Sequence, residues 1–457
     1  MASTHIYRTF TAGNRDRWTL SMWVKRGTIS ATQYMTSWYE DNNNFTAVYF
    51  EANDTINFLN HIGGATAGKL NTTRVFRDSA AWYHIVAVYD SGNDEAGDRM
   101  KLYVNGVEET DFITDTNPSL NADSIGNKSG DDTILGQKGD GGVYLSAYLA
   151  EVVLLDGTAA APTSFGEFDE DSPTIWKPID VSGLTFGTNG FHCDFEDSAN
   201  LGNDANGGTD LTETNFVATD QGVDSPTNNF CTVGPSMSPT QATIYKYGNT
   251  FVEADNIDVA ACCSFGLTTG SWYMEAKATD TANTTIIGLV PAYLINEGYS
   301  GMGFDVGSAN NALNVNPSVG LRYNGTIYEK VDGSQVSASS TSFTTGDIIG
   351  FSFNLDTGAL RFWKDGVEIT GSPYTLGDGS YSSTNWVTSG PLLPAFRLDA
   401  GGVTIFAGFE CNFGNGSFGA TIVASANADD NGYGRFEYAP PSGHLALCSK
   451  NLGSDGG

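Results

Sequence analysis

One short pattern occurs twice in the chain. Lys101-Leu102-Tyr103-Val104-Asn105-Gly106-Val107-Glu108-Glu109-Thr110 aligns without gaps with Arg361-Phe362-Trp363-Lys364-Asp365-Gly366-Val367-Glu368-Ile369-Thr370. In each copy an Asx-Gly pair separates two extended segments, the strongest short-range signal for a type I′ hairpin. Both central residues of that turn need a positive φ, which glycine adopts freely and Asn or Asp tolerates. Each hairpin follows a segment that alternates apolar and polar residues, 84–90 in the first copy and 350–356 in the second, read as half-buried strands. The connections differ, spanning residues 91–100 and 357–360. Chance can produce one such hairpin. The whole succession of strand, turn, strand, Asx-Gly and strand, met twice, predicts two sandwiches of one architecture. The expected fold class is therefore all-β, with two antiparallel β-sandwiches joined by an Asx/Gly-rich connector.

Composition agrees with this and narrows the function. The 457 residues include 55 Gly and 14 Pro, which suits short strands joined by many turns. Hydrophobic residues make up 40% and aromatics 12%, enough for sizeable cores, so global disorder is excluded. Acidic residues number 53 against 22 Lys plus Arg, a formal charge of −31. Such a field repels phosphate backbones and anionic lipid, which argues against nucleic-acid binding. Membrane insertion is not expected either: the most apolar window, residues 148–155, contains Glu151 and is far too short to span a bilayer. Residues 1–17 hold no apolar run that could serve as a signal-peptide core. The six cysteines show no CxxC spacing and are expected to be reduced and buried. The boundaries drawn are residues 1–160 for the first sandwich, 161–240 for the connector, 241–420 for the second sandwich and 421–457 for a tail whose apolar run, residues 445–448, is expected to pack back onto the body. The connector is expected to lend a strand at Phe191-His192-Cys193-Asp194-Phe195 to a neighbour.

Longer motifs carry resemblances. Trp18-Thr19-Leu20-Ser21-Met22-Trp23-Val24-Lys25, Trp82-Tyr83-His84-Ile85-Val86-Ala87-Val88-Tyr89-Asp90, Ile134-Leu135-Gly136 and Leu149-Ala150-Glu151-Val152 follow in order around the first hairpin. Together they resemble the laminin-G or concanavalin A-like lectin/glucanase family over most of residues 1–160. The second half resembles a SPRY domain, through Gly270-Ser271-Trp272-Tyr273-Met274-Glu275, Thr345-Gly346-Asp347-Ile348-Ile349-Gly350, Leu393-Pro394-Ala395-Phe396 and Asn412-Phe413-Gly414. Ser164-Phe165-Gly166-Glu167, Ile175-Trp176-Lys177-Pro178 and Asp194-Phe195-Glu196-Asp197-Ser198-Ala199-Asn200-Leu201 are similar to the connector of large virion proteins in tailed phages of marine bacteria and cyanobacteria. Ser442-Gly443-His444-Leu445-Ala446-Leu447-Cys448 is similar to the C-terminal signature of the same group. The resemblance implies a virion structural protein, assembled in the host cytoplasm, with other virion proteins as partners.

Concanavalin A-like folds also host glycosidases, so paired carboxylates deserve a test. Two segments approach the Glu-x-Asp-x-x-Glu pattern of laminarinase-type members. Glu167-Phe168-Asp169-Glu170-Asp171-Ser172 has Ser at the acid/base position and suits a loop, and Glu253-Ala254-Asp255-Asn256-Ile257-Asp258 ends in a shorter Asp. No catalytic residue is expected from either. His84 reads as a structural histidine in a core strand. Asp194, Asp197, Asn203, Asp204 and Asn206 form an oxygen-rich run that could wrap Ca²⁺, with Asp194 and Asp204 as the candidate ligands, although no distal bidentate Glu completes an EF-hand. An Asx turn without metal is the simpler reading, and no cofactor is expected.

Sugar sites on sandwiches pair an exposed ring with amide and carboxylate side chains. Trp38 and Tyr39 precede the turn Glu40-Asp41-Asn42-Asn43-Asn44, Tyr299 lies between glycines and serine, and Trp386 lies in the polar stretch 377–390. Trp38, Tyr39, Asn43, Tyr299 and Trp386 are thus the candidate ligand-binding residues. Trp23, Trp82, Trp272 and Trp363 fall on alternating strands and are expected in the core. The expectation is a non-enzymatic phage structural protein (fibre, appendage or capsid decoration), homo-oligomeric, with lectin-like binding of host-surface glycan or protein. A purely structural cement protein and a polysaccharide depolymerase are the alternatives.

Overall fold

The computed structural model describes all residues except 1–2, 171, 235–242, 256–257, 282–284, 293–317, 332–333, 340, 370–373, 376–389, 400–405 and 456–457. The chain divides into two units, Met1–Gln221 with Ser225–Thr227, and Gly222–Asp224 with Asn228–Gly457. Each unit is an antiparallel sandwich, as the repeated hairpin predicts.

In the first unit the larger sheet runs in the order Phe112–Thr116, Ala65–Thr72, Ile56–Ile62, Asn44–Phe50, Gln33–Asp41, Asp132–Leu135, His5–Thr9 and Thr212–Thr214. The smaller runs Phe191–Cys193, Ala147–Asp156, Arg17–Arg26, Trp82–Asp90, Met100–Val104 and Val107–Glu108. The core between them is rich in rings: Trp18 stacks on Tyr89 with centroids 5.7 Å apart and meets Trp38 at 4.7 Å.

The second unit repeats this plan. Its path Asp258–Cys262, Leu392–Asp399, Ile286–Pro291, Ser318–Arg322, Thr326–Val331 and Ser334–Ser339 matches, strand for strand, the first unit's run from His5–Thr9 to Ala65–Thr72. Facing it, Phe406–Asn412, Ser271–Asp280, Ile348–Asn354, Ala359–Lys364 and Val367–Glu368 repeat the order of the smaller sheet. Trp272 occupies its core.

The two hairpins agree in detail. Asn105 and Gly106 have φ of 50° and 78°, and Asp365 and Gly366 have 49° and 78°. Asn105 Oδ1 accepts the His84 N–H at 2.8 Å while its own N–H donates to the His84 carbonyl at 2.9 Å. Asp365 does the same with Ile348, both bonds at 2.9 Å. Corresponding ion pairs, Lys101–Glu108 and Arg361–Glu368, bridge the strands. Each glycine also lies under a ring from a later part of its unit. A Cβ on Gly106 would fall 2.5 Å from the Trp176 ring, and one on Gly366 would fall 2.5 Å from the Tyr438 ring. Gly106→Ala and Gly366→Ala should therefore each destabilise their unit by about 1–3 kcal/mol in chemical denaturation. An unshifted midpoint would contradict the ring contact.

The structure corrects two expectations. First, residues 161–240 are not a separate connector. Up to Gln221 they belong to the first unit, where Phe191–Cys193 pairs with Ala147–Asp156 and Thr212–Thr214 pairs with His5–Thr9. Secondly, the strand containing residues 84–90 is buried on both faces rather than one. Phe165, Val181 and Phe186 pack on Val86, Val88, Val153 and Leu155, so a third layer covers the small sheet. The segment can form this layer because its apolar residues are few but well placed among Asx turns. The tail packs back onto the second unit, as expected of residues 445–448: Leu445–Ala446 pairs in parallel with Ser271–Asp280, and residues 449–455 form a short helix. All six cysteines are free and buried.

Candidate functional site

Side chains alternate across a strand, so neighbouring Trp38 and Tyr39 on Gln33–Asp41 face opposite ways. Trp38 faces the core and is 1% exposed, which removes it as a ligand platform. Tyr39 faces outward. Register places Tyr39 opposite Phe45 and Phe45 opposite His61, across three adjacent strands. Their rings form a ladder, with centroids 6.5 Å apart for Tyr39–Phe45 and 5.1 Å for Phe45–His61, each pair tilted by 38°. The successive tilts follow the twist of the sheet. All three side chains are half-buried.

The hairpin tip supplies polar groups beside the ladder. Asp41 Oδ1 accepts the Asn43 N–H at 2.7 Å and the Asn44 Nδ2 at 3.2 Å, and these donors, the Asn43 N–H foremost, hold its carboxyl below the ordinary value. Asn44 Oδ1 accepts the Gly63 N–H, tying this tip to the next one, and Asn43 is left exposed at the turn. On the other side Gly139 lies against the base of Tyr39, where a Cβ would fall 2.0 Å from the Tyr39 Cβ. Burial there, and then Asp140, push the Tyr39 phenol up. The row continues from Tyr39 to Asp132 and Thr9, and from His61 to Thr66. A neighbouring outer-face row holds Tyr34 and Tyr49, stacked at 4.6 Å but buried, so those rings brace the sheet.

Of the candidates named from sequence, Tyr39 and Asn43 thus come together at one tip, and Trp38 does not join them. Tyr299 and Trp386 lie outside the described residues. Phe45 and His61 escaped notice; the alternation Phe45-Thr46-Ala47-Val48-Tyr49 was the available signal, but only strand register shows that both rings flank Tyr39.

The oxygen-rich run is otherwise engaged. Asp204 is buried: its Oδ1 accepts the N–H groups of His192 and Asn206, and Arg8 lies 3.6 Å from its Oδ2. Asp194 accepts the Glu196 N–H and lines a cavity of about 260 Å³ with Glu151, Asp180, Glu196 and His192. Among the described residues no group of three or more His, Cys, Asp or Glu is arranged to hold a metal ion. Within that cavity His192 Nε2 meets Glu151 Oε2 at 2.7 Å, and Glu151 adopts φ 48° where the Ala147–Asp156 strand bulges.

The carboxylate segments are likewise dispersed. Glu167 lies on a short strand, Gly166–Phe168, rather than in a loop, and both Glu167 and Asp169 pair with Lys177. Glu253 and Asp255 share the strand Phe251–Asp255, whereas Asp258 opens a strand of the other sheet. His84 is wholly buried, and burial pushes it down to about 3, so the ring is neutral. Trp176 Nε1 donates to His84 Nδ1 at 2.9 Å, which leaves the Nε2 proton to be donated to Ser21 Oγ at 2.8 Å. Trp23 and Trp82 are buried, as expected, but with Trp176 on the outer face of the small sheet instead of between the sheets. Trp363 is half-buried on the corresponding face of the second unit, against Tyr273.

Residues 3–161 match the family model described as the concanavalin A-like lectin/glucanases superfamily. The first sandwich is similar to that superfamily over these residues. No curated protein matches the sequence. Among solved structures, the chain is similar to the native heptameric SAP-like pentraxin of Limulus polyphemus at 19% identity, covering 34% of this chain and 71% of that one with a TM-score of 0.27. It is similar to the SPRY domain of human HERC1 at 13% identity, covering 39% and 96% with a TM-score of 0.27. Domains LG4-5 of the mouse laminin alpha1 chain are similar at 10% identity, covering 86% and 79% with a TM-score of 0.26. At these scores none of the three bears on function.

Proposed function

We propose that the protein is a non-enzymatic virion structural protein whose concanavalin A-like domain binds glycan through the outer-face ladder of Tyr39, Phe45 and His61. The ladder is the observation that carries the reading: three half-buried rings on adjacent strands offer apolar faces to sugar rings. Asn43 and Asp41 at the adjoining tip can take hydroxyl hydrogen bonds. The likeness of residues 164–204 and 442–448 to phage connector and C-terminal motifs supports placement in a tailed-phage particle, with other virion proteins as partners. Display in many copies by a homo-oligomer suits weak single contacts, because linked sites gain avidity without new contacts. A non-catalytic role is supported by Glu167 and Asp169 both pairing with Lys177.

The test is titration with host-surface polysaccharide. Tyr39→Ala should weaken binding about tenfold, roughly the worth of one stacked ring, while the circular dichroism spectrum and melting midpoint stay close to those of the parent. Equal binding by parent and variant would remove the ladder from the site, and failure of the parent to bind any glycan would remove the lectin reading.

A further inference from the structure

We infer that the ladder takes an internal stretch of a neutral polysaccharide about three sugar units long. This rests on the glycan reading above and adds the chemical class of the ligand.

Charge sets the class. Asp132 stands opposite Tyr39 on the next strand, Asp41 holds the adjoining tip, and Asp140, beside Tyr39, is paired with Lys138. A uronate, sulfate or phosphate on the sugar would enter this acidic surround with Lys138 already neutralised. Like charges brought together at a binding surface cost affinity. A neutral chain meets no such penalty, and its hydroxyls can donate to Asp41 and bond to the Asn43 amide.

Geometry sets the length and the mode. Each of the three rings stands on its own strand, and their centroids are 6.5 and 5.1 Å apart, roughly the length of one pyranose unit in a chain. A polysaccharide crossing the strands can therefore place successive sugars over Tyr39, Phe45 and His61. Gly139 packs on the base of Tyr39, and the row itself continues past both outer rings. Beyond Tyr39 it passes Asp132 to Thr9, and beyond His61 it reaches Thr66, and both threonines are exposed. Exposed residues at both ends of the row suit an internal segment of a chain better than a terminus.

The experiment uses the full chain and linear oligosaccharides of one to six units from neutral glucan, mannan and galactan. Oligogalacturonate and dextran sulfate serve as anionic probes. Affinity for the neutral series should rise about tenfold per added sugar up to three units and level off beyond. Reducing the terminal sugar of a hexasaccharide to its alditol should leave binding unchanged, and Phe45→Ala should flatten the rise with length. Tighter binding of the anionic probes, or loss of binding on terminal reduction, would overturn the proposed class; if Tyr39→Ala weakened that binding too, the site itself would stand. Absence of binding to every probe would overturn the glycan reading together with this one.

Discussion

Asp54→Asn should lower the stability of the first unit by about 3–5 kcal/mol at neutral pH, the cost of leaving a buried charge without its counter-ion. Arg26 is that charge. Its side chain is 0% exposed at the end of the core, with the guanidinium 4.2 Å from the Phe50 ring centroid. Nη1 donates to Asp54 Oδ1 at 3.0 Å and to the Phe76 carbonyl. Asp54 also accepts the Ser30 N–H at 2.6 Å and Arg77 Nε at 2.9 Å, so one carboxylate ties three loops to the core. Burial alone would raise the Asp54 carboxyl, but the Ser30 N–H, Arg77 and Arg26 outweigh it and hold it below its ordinary value. The sign follows: this contribution is full above the unfolded carboxyl's pKa and is lost as pH falls through the depressed folded value. Asparagine tolerates the φ of 70° at this position, so the substitution tests charge and not backbone. Urea unfolding of the two proteins measures the difference, and a change below about 1 kcal/mol, the scale of a surface ion pair, would show that Arg26 needs no partner.

Glu275 should make the second unit less stable as pH rises. It lies buried on Ser271–Asp280, facing the tail, and its carboxylate meets four donors. Oε1 takes the Tyr438 N–H at 2.8 Å and the Tyr273 hydroxyl at 3.3 Å; Oε2 takes the Glu437 N–H at 2.9 Å and Asn412 Nδ2 at 3.1 Å. Burial pushes the carboxyl up to about 7, the four donors pulling the other way. A raised folded value means that the contribution is full below the unfolded pKa and declines as pH rises through 7. Glu275→Gln cannot titrate there. The stability difference between parent and variant should therefore shift by about 2–3 kcal/mol between pH 5 and pH 8, against the parent at the higher pH. A difference that stays flat would mean that Glu275 keeps an ordinary pKa. Taking the difference cancels Asp347 and the other carboxylates common to both proteins.

What could be read without the structure was what is local. Asn105-Gly106 and Asp365-Gly366 announce their turns because a positive φ at both positions is a property of two residues alone. Their repetition revealed the duplicated sandwich, and residues 3–161 match the superfamily that the first-half motifs suggested. Choosing between Trp38 and Tyr39 was different. Residues 34–39 read Tyr-Met-Thr-Ser-Trp-Tyr, with large residues on both faces, and the strand is irregular between Tyr34 and Thr36, so alternation does not say which face meets the core. The composition of residues 161–221 was misleading for a related reason. Asp197, Asp204 and Asp210 accept backbone N–H groups, so acidic side chains there do the bonding that a regular strand would do, while Phe165 and Trp176 reach back to His84.

The late position of those residues has a consequence for the order of synthesis. Trp23, Trp82, Val86 and Val88 are complete in the chain long before Phe165, Trp176, Val181 and Phe186 exist to cover them, and His5–Thr9 waits for Thr212–Thr214 as its neighbour. At about 5–20 residues per second, the growing first domain keeps an apolar sheet face uncovered for several seconds after its two sheets could have met. The second domain faces a like interval, because residues 429–448 follow both of its sheets in the chain. Each half of the protein thus passes through a period when it is shaped but unsealed, and that period is when a chaperone or a second nascent copy has its opportunity to bind.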